Sequence, residues 1–236
     1  MTLTRPERRD FADGAALAVA FAQWTATLLQ NSVDERGEAL LIVSGGTTPR
    51  RFFAALASHA IDWTRVTITL ADERCVAEDS ARSNARLIRE TLLRDRAAAA
   101  RFAPLADSRL SPDQELAAAN ARIADLPLPA DLVILGMGED GHTASWFPGG
   151  DNLAEAVNPG ARALVVRMRA PGAPEPRLTL SARVILRARA LALHIEGAAK
   201  LATLERALQQ GPIEEMPVRA ALREAGDRLT IFAASV

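Results

Sequence analysis

Leu132-Val133-Ile134-Leu135-Gly136-Met137-Gly138-Glu139-Asp140-Gly141-His142-Thr143-Ala144-Ser145-Trp146-Phe147-Pro148-Gly149 is the stretch from which the rest of the chain is read. An apolar run of strand length breaks into glycines. It then presents an acid, a histidine, a threonine and a serine before Trp-Phe-Pro-Gly closes it. A continuous apolar run is the pattern of a parallel strand buried on both faces. Open α/β sheets bind ligands outside the carboxyl ends of such strands. His142, at the centre of the turn, is one of three histidines, with His59 and His194.

The spacing Gly136-x-Gly138-x-x-Gly141 also matches the dinucleotide fingerprint. That fingerprint requires a helix opening directly after the third glycine. Here His142 to Gly150 leaves room for one or two turns before Pro148, Gly149 and Gly150 end them. Glu155 has no following strand context that would make it the ribose-binding acid, so nucleotide binding is rejected. Asp140 and His142 read instead as a base and its orienting partner, because an imidazole titrates near pH 6.5 and accepts a proton at neutral pH. The competing reading is a structural histidine in a loop. No second His or Cys stands at ligand spacing, which disfavours a metal.

Outward from this stretch, strands and helices alternate. Asp13 to about Leu29 carries Leu17, Phe21, Trp24 and Leu28 at helical spacing, and Ala39-Leu40-Leu41-Ile42-Val43 reads as a buried strand. Ser44-Gly45-Gly46-Thr47-Thr48-Pro49 follows, with Thr48 as expected N-cap and Pro49 at the first helical position. Val66 to Leu70 is a strand ending in Asp72-Glu73-Arg74, and Asn84 to Leu93 a helix. Ser111-Pro112-Asp113-Gln114 is a capping box opening a helix to about Asp125. Strands are expected at 131–135, 164–166, 177–180, 191–195 and 229–232, a Pro/Gly loop at 171–176, a helical turn near 181–186 and a helix from Gly197. This alternation predicts an α/β fold: one domain over 1–236, with a mostly parallel sheet covered by helices on both faces.

Composition bounds the partners. Lys plus Arg total 28 against 29 Asp plus Glu, a net charge of -1 that argues against nucleic acid and anionic membranes. The one cysteine, Cys75, forbids an intrachain disulfide and reads as a packing residue. Met1 to Asp10 lacks a signal-peptide pattern, and no apolar run approaches the ~20 residues that span a bilayer. The expectation is a soluble, cytoplasmic protein.

Basic and polar residues therefore need local explanations. Ser44 to Pro49 lies between a strand and a helix start, where glycines, unpaired N–H groups and the dipole suit a phosphate or carboxylate; a plain βα turn has the same composition. The Asp72-Glu73-Arg74 triplet should reach the rim of the sheet, with Arg74 offering a fork to phosphate oxygens, or be a solvated charged loop. Ser83 and Asn84 suit a helix cap and also a sugar hydroxyl. Lys200 near a helix start is misplaced on dipole grounds unless an anion binds there. Arg177, after the flexible loop, has no structural explanation.

Taken in order, these segments resemble the 6-phosphogluconolactonase family: Ser44 to Pro49, Asp72-Glu73-Arg74 with Ser83-Asn84, Leu135 to Ser145, Pro176 to Leu180, and Gly197 to Lys200. The resemblance covers most of the chain, and the glycine-histidine block is its specific part. It implies a Rossmann-like sheet shared with the glucosamine-6-phosphate deaminases. It also implies hydrolysis of 6-phosphoglucono-δ-lactone in the pentose phosphate pathway, without an organic cofactor. Thr47 stands where the family commonly has Ser, and Trp146 where it commonly has Leu, so Trp146 is expected to bear on the pocket wall. The deaminase motif continues to Asn-Glu-Pro with a glutamate that assists ring opening, whereas this chain reads Trp146-Phe147-Pro148.

The expected site thus comprises His142 as general base oriented by Asp140 or the loop backbone. Gly45, Gly46, Thr47, Arg74, Arg177 and Lys200 would hold a phosphate, and Asp72, Ser83 and Asn84 would complete substrate binding, with no metal. The competing functions are a glucosamine-6-phosphate deaminase and a non-catalytic sugar-phosphate sensor. The chain shows no basic segment such a sensor would use on DNA, and no oligomeric state is read from it.

Overall fold

β6 (Leu132–Leu135), the strand that opens the quoted stretch, is buried throughout in a seven-stranded sheet. The computed structural model describes residues 6–235. On one side β6 pairs with β2 (Ala39–Val43), followed by β3 (Val66–Leu70) and β5 (Arg101–Ala103). On the other it pairs with β9 (Ala190–Glu196), followed by β10 (Leu229–Ala234) and β1 (Glu7–Phe11). Every pairing is parallel. β2, β3, β6 and β10 are buried at each position, so helices cover both faces as the alternating pattern predicts.

The helices follow from local rules. α1 (Gly14–Arg36) begins where Asp13 accepts hydrogen bonds from Ala15 N at 2.9 Å and Ala16 N at 2.8 Å. It ends at Gly37, whose φ of 81° suits a residue without a Cβ. The helix thus runs past Leu29, because the polar stretch after it is the outer face of its last turns, with Ser32 and Val33 buried beneath. α2 (Arg50–Ala57) starts one residue later than expected: Pro49 occupies the cap position and Thr48 does not cap it. Phe21 of α1 stacks on Phe52 of α2 and on Phe232 of β10, each at 4.2 Å between centroids. α3 (Asn84–Thr91) and α4 (Pro112–Ala124) fall where the sequence puts them, and α4 has its capping box.

A second sheet was not legible. β4 (Asp72–Arg74) follows β3 after Ala71 alone, and pairs antiparallel with β8 (Ala173–Leu180), which pairs with β7 (Val165–Ala170). The expected Pro/Gly loop is a hairpin turning at Pro171-Gly172, with β8 running through Pro174 and Pro176. Short helices α5 (Leu153–Ala156) and α6 (Ala182–Ile185) flank the β7–β8 hairpin in sequence, and α7 (Ala198–Ala207) and α8 (Val218–Glu224) lie between β9 and β10. β1, β5 and α8 were also unexpected. β1 is a charged edge strand and β5 only three residues long, so neither carries a buried apolar run. Met1 to Arg5, part of the segment read for a signal peptide, lies outside the described residues. Among the described residues no helix is long and apolar enough to cross a membrane.

Truncating Phe21 to Ala removes the ring joining α1, α2 and β10. The expected cost is about 3–5 kcal/mol of unfolding free energy, as for other buried Phe→Ala changes. Urea denaturation of both proteins measures it, and a loss below ~1 kcal/mol would mean the stack is not a core element.

Candidate active site

The sheet reverses its winding between β2 and β6: β2 leads on to β3 on one side, whereas β6 leads to β9 on the other. Such a switch point opens a crevice at the carboxyl ends of the strands. Here the crevice is a cavity of about 340 Å³, large enough for a small ligand. Its walls are the loop Ser44 to Pro49, the turn after β6, the Asp72 and Arg74 faces of β4, Arg177 of β8 and Lys200 of α7.

The turn after β6 is built around the His142 ring. Gly141 adopts a φ of 81°, and its N–H donates to Gly138 O at 3.0 Å. A Cβ on Gly138 would overlap the His142 imidazole, so the spacing that mimics a dinucleotide motif makes room for a side chain. No helix opens directly after Gly141; turns run from there to the start of α5. Asp140 Oδ1 lies 2.6 Å from His142 Nδ1 and also accepts the His142 N–H at 3.1 Å. An ionised carboxylate only accepts, so Nδ1 carries the proton and Nε2 is the free ring nitrogen. Burial works against the Asp140 carboxylate, but the hydrogen bond and charge of His142 outweigh it and hold its pKa below the usual range. His142 faces the cavity; Asp140 stands behind it.

The turn is tied to the second sheet. Ser145, fully buried, donates its hydroxyl to Asp72 Oδ2 at 2.6 Å, and its N–H to Thr179 Oγ1 at 3.3 Å. Trp146 is also fully buried, donating Nε1–H to Leu180 O at 2.9 Å. Its indole does not line the cavity, so the expectation that it shapes the pocket wall is corrected. The aromatic at the wall is Phe147, with its ring 4.5 Å from that of His142.

Arg74 and Arg177 are direct partners across the β4–β8 pairing. Like charges directly opposite on a sheet destabilise it, by up to about 1 kcal/mol. Burial, then the charge of Arg74, push the pKa of Arg177 down. Each guanidinium has a buried Nε without a partner among the described residues. Lys200, in the first turn of α7, donates to Thr48 Oγ1 at 3.1 Å; burial lowers its pKa while Glu139 and Glu196 pull the other way. A bound anion would relieve all three cations.

Nine of the expected residues therefore meet at one cavity: Gly45, Gly46, Thr47, Asp72, Arg74, Asn84, His142, Arg177 and Lys200. Ser83 does not. Its hydroxyl is buried outside the cavity, bonding Glu73 Oε2 at 3.2 Å and capping α3 through Arg86 N at 3.1 Å. Sequence reasoning missed Arg82, Phe147, Met137 and His194 as lining residues: Met137 and Phe147 stand in the quoted stretch at positions with no polar chemistry, and Arg82 and His194 stand in no motif. It also missed the buried hydroxyl of Ser44, which has no hydrogen-bond partner among the described residues. The Cys75 thiol is pushed up to about 12, chiefly by burial, in keeping with a packing role. Among the described residues no three His, Cys, Asp or Glu side chains converge to hold a metal ion.

Comparison with known proteins bears on this arrangement. The family model for glucosamine-6-phosphate isomerases/6-phosphogluconolactonase matches residues 12–231. A 6-phosphogluconolactonase from Rhizobium meliloti is 46% identical over 222 residues, covering 94% of this chain and 96% of that protein. One from Pseudomonas aeruginosa is 44% identical, covering 89% of this chain and 88% of that protein. The crystal structure of a 6-phosphogluconolactonase from Shewanella baltica superimposes with a TM-score of 0.95 at 39% identity, covering 99% of both chains.

The His142–Asp140 pair sets a titration test. With His142 replaced by Ala, the ring hydrogen bond and charge that oppose burial at Asp140 are lost and only backbone N–H groups still favour its carboxylate, so its carboxyl should titrate at higher pH than in the wild type. In the wild type the ionised form, and the stability it lends, persist as pH falls until that lowered pKa is reached. Carboxyl ¹³C NMR titration reads both midpoints; equal values would show that His142 does not hold Asp140 ionised.

Proposed function

The chain belongs to the glucosamine-6-phosphate isomerase/6-phosphogluconolactonase family, and we propose that it hydrolyses 6-phospho-D-glucono-1,5-lactone to 6-phospho-D-gluconate with His142 as general base. One observation carries the reading. An imidazole held at Nδ1 by Asp140, with Nε2 free, shares a cavity with Arg74, Arg177 and Lys200. Phosphorylated sugars carry a charge complementary to those cations, of which Arg177 also meets Glu175 at 3.4 Å, and a δ-lactone carries the reactive carbonyl that the base requires.

A δ-lactone is an activated ester, so hydrolysis needs a positioned water rather than a covalent nucleophile. His142 Nε2 takes a proton from the water as its oxygen adds to C1. The tetrahedral oxyanion then collapses, the bond from C1 to the ring oxygen breaks, and the imidazolium returns the proton to that oxygen. Asp140 keeps the ring oriented and stabilises the imidazolium between the two transfers. The 6-phosphate dianion is assigned to Gly45, Gly46, Thr47, Arg74, Arg177 and Lys200, where it offsets both the Arg74–Arg177 repulsion and the unfavourable Lys200 position. Asp72, a carboxylate that would repel a phosphate, accepts from a sugar hydroxyl together with Asn84. Anchoring the phosphate fixes C1 relative to His142.

The deaminase reading would need an acid where Trp146-Phe147-Pro148 stands. Phe147 presents a ring to the cavity there, and Trp146 is buried behind it. Turnover separates the enzyme from a mere sugar-phosphate sensor. The reading treats the chain as one domain, since its seven-stranded sheet draws strands from residue 7 to residue 234. It also assigns it to the cytoplasm, where charged sugar phosphates that cannot cross membranes are handled.

In a pH-stat assay with background hydrolysis subtracted, His142→Ala should lower kcat by about 10²–10⁴, the contribution of general base catalysis. Binding of 6-phosphogluconate should be retained. Near-normal turnover would remove His142 from the base role. Arg177→Ala and Arg74→Ala should raise KM for the phosphorylated lactone by about 10- to 100-fold, as for lost charge-assisted hydrogen bonds. Hydrolysis of unphosphorylated gluconolactone should change little in both. An unaltered preference for the phosphorylated lactone would take that arginine out of the phosphate site.

A further inference from the structure

Side chains alternate along β4, so Asp72 and Arg74 face the cavity and Glu73 points away from it. Glu73 is 3% exposed. Its Oε1 accepts from Arg74 N at 2.7 Å and Asn84 N at 2.8 Å. Its Oε2 accepts from Ala85 N at 2.7 Å and from the Ser83 hydroxyl at 3.2 Å. It makes no ion pair among the described residues, so only these donors and the start of α3 compensate its charge. Burial pushes its pKa up, while the N–H groups of Asn84, Ala85 and Arg74 pull it back.

A buried carboxylate is a costly way to cap a helix, and Ser83 already caps α3 through Arg86 N. What Glu73 adds is a bridge. Three of its bonds go to the 83–85 segment and one to the backbone of Arg74. Asn84, held at its N–H, donates Nδ2 to Asp72 O at 2.9 Å. Its Oδ1 lies so close to Gly45 that a Cβ there would overlap it. The chain of contacts thus runs from Glu73 to Arg74 on one wall and, through Asn84, to the glycine loop on the other.

We propose that Glu73 is a positioning residue for the anion end of the cavity: from outside the pocket it sets the spacing between Arg74 and the Gly45 loop, and so the affinity for the phosphorylated sugar. This rests on the reaction assigned above, for it is that substrate's phosphate that the two walls grip. The role is on binding and not on the chemical step, because no Glu73 contact reaches the His142 turn directly.

Glu73→Gln keeps the shape but turns one acceptor into an NH₂ that opposes two donors. The expected result is a rise of about tenfold in KM for the lactone and in Kd for 6-phosphogluconate, the scale of an unsatisfied buried hydrogen bond. kcat should stay within about threefold, since the His142 machinery is untouched. A lowered Tm with unchanged KM and Kd overturns the proposal, because it is the result of a purely structural cap. If Glu73→Gln does not fold, Ser83→Ala removes one of the four donors to Glu73 together with the Arg86 N cap of α3; a KM rise of about twofold or more at constant kcat supports the role, while a lowered Tm with unchanged KM overturns it. Titration with inorganic phosphate separates the two claims. A wild-type protein that turns over no lactone overturns the proposed reaction. A Glu73→Gln protein with wild-type phosphate affinity overturns the role of Glu73 itself.

Discussion

The 2.6 Å hydrogen bond from the Ser145 hydroxyl to the Asp72 carboxylate joins the two halves of the site. On one side of it stands the turn that carries His142. On the other stands β4, whose next cavity-facing residue is Arg74. Both partners are buried, and an unpaired Asp72 would bear the cost of an uncompensated buried carboxylate. Ser145 N–H on Thr179 and Trp146 Nε1–H on Leu180 repeat the connection one residue at a time along β8. The His142 turn is therefore fixed to the small sheet as firmly as to the strand from which it emerges.

The cavity combines order in its neutral parts with imbalance in its charged ones. Glycines at 138 and 45 sit where another residue's Cβ would strike the His142 ring or the Asn84 amide. These close approaches fix the walls. The cations, by contrast, are held in unfavourable company: Arg74 faces Arg177, and Lys200 sits at a helix start. Stability alone would select against that arrangement. An anionic ligand there would turn each unfavourable contact into a favourable one, so that under the proposed function the structural penalty becomes binding energy for a phosphate.

The central strands and the His142 turn were legible because each rests on a local rule: a buried apolar run, a glycine at positive φ, a capping box. The positions of Gly45, Arg74, Arg177 and Lys200 at one cavity could be anticipated from their places after strands and at helix starts. The second sheet could not. The first half of β8 runs through Pro174 and Pro176 and reads as a loop, so only 177–180 reads as strand, and its pairing with β4 joins residues about a hundred apart. Ser83 failed for the opposite reason. Its local signal as a helix cap was sound, and the functional role added to it had no geometric basis. Trp146 likewise stands inside the motif but turns its indole into the core. The pairing of Ser145 with Asp72, and the Glu73 bridge, are long-range bonds that no local pattern announces.

The arrangement makes a definite statement about where the two ends of the substrate lie. A crystal structure with 6-phosphogluconate bound tests it most directly. The account predicts the C1 carboxylate within hydrogen-bonding reach of His142 Nε2 and the phosphate against Lys200, the glycine loop and the Arg74–Arg177 pair. A phosphate bound at His142, with C1 directed away from the imidazole, would contradict it.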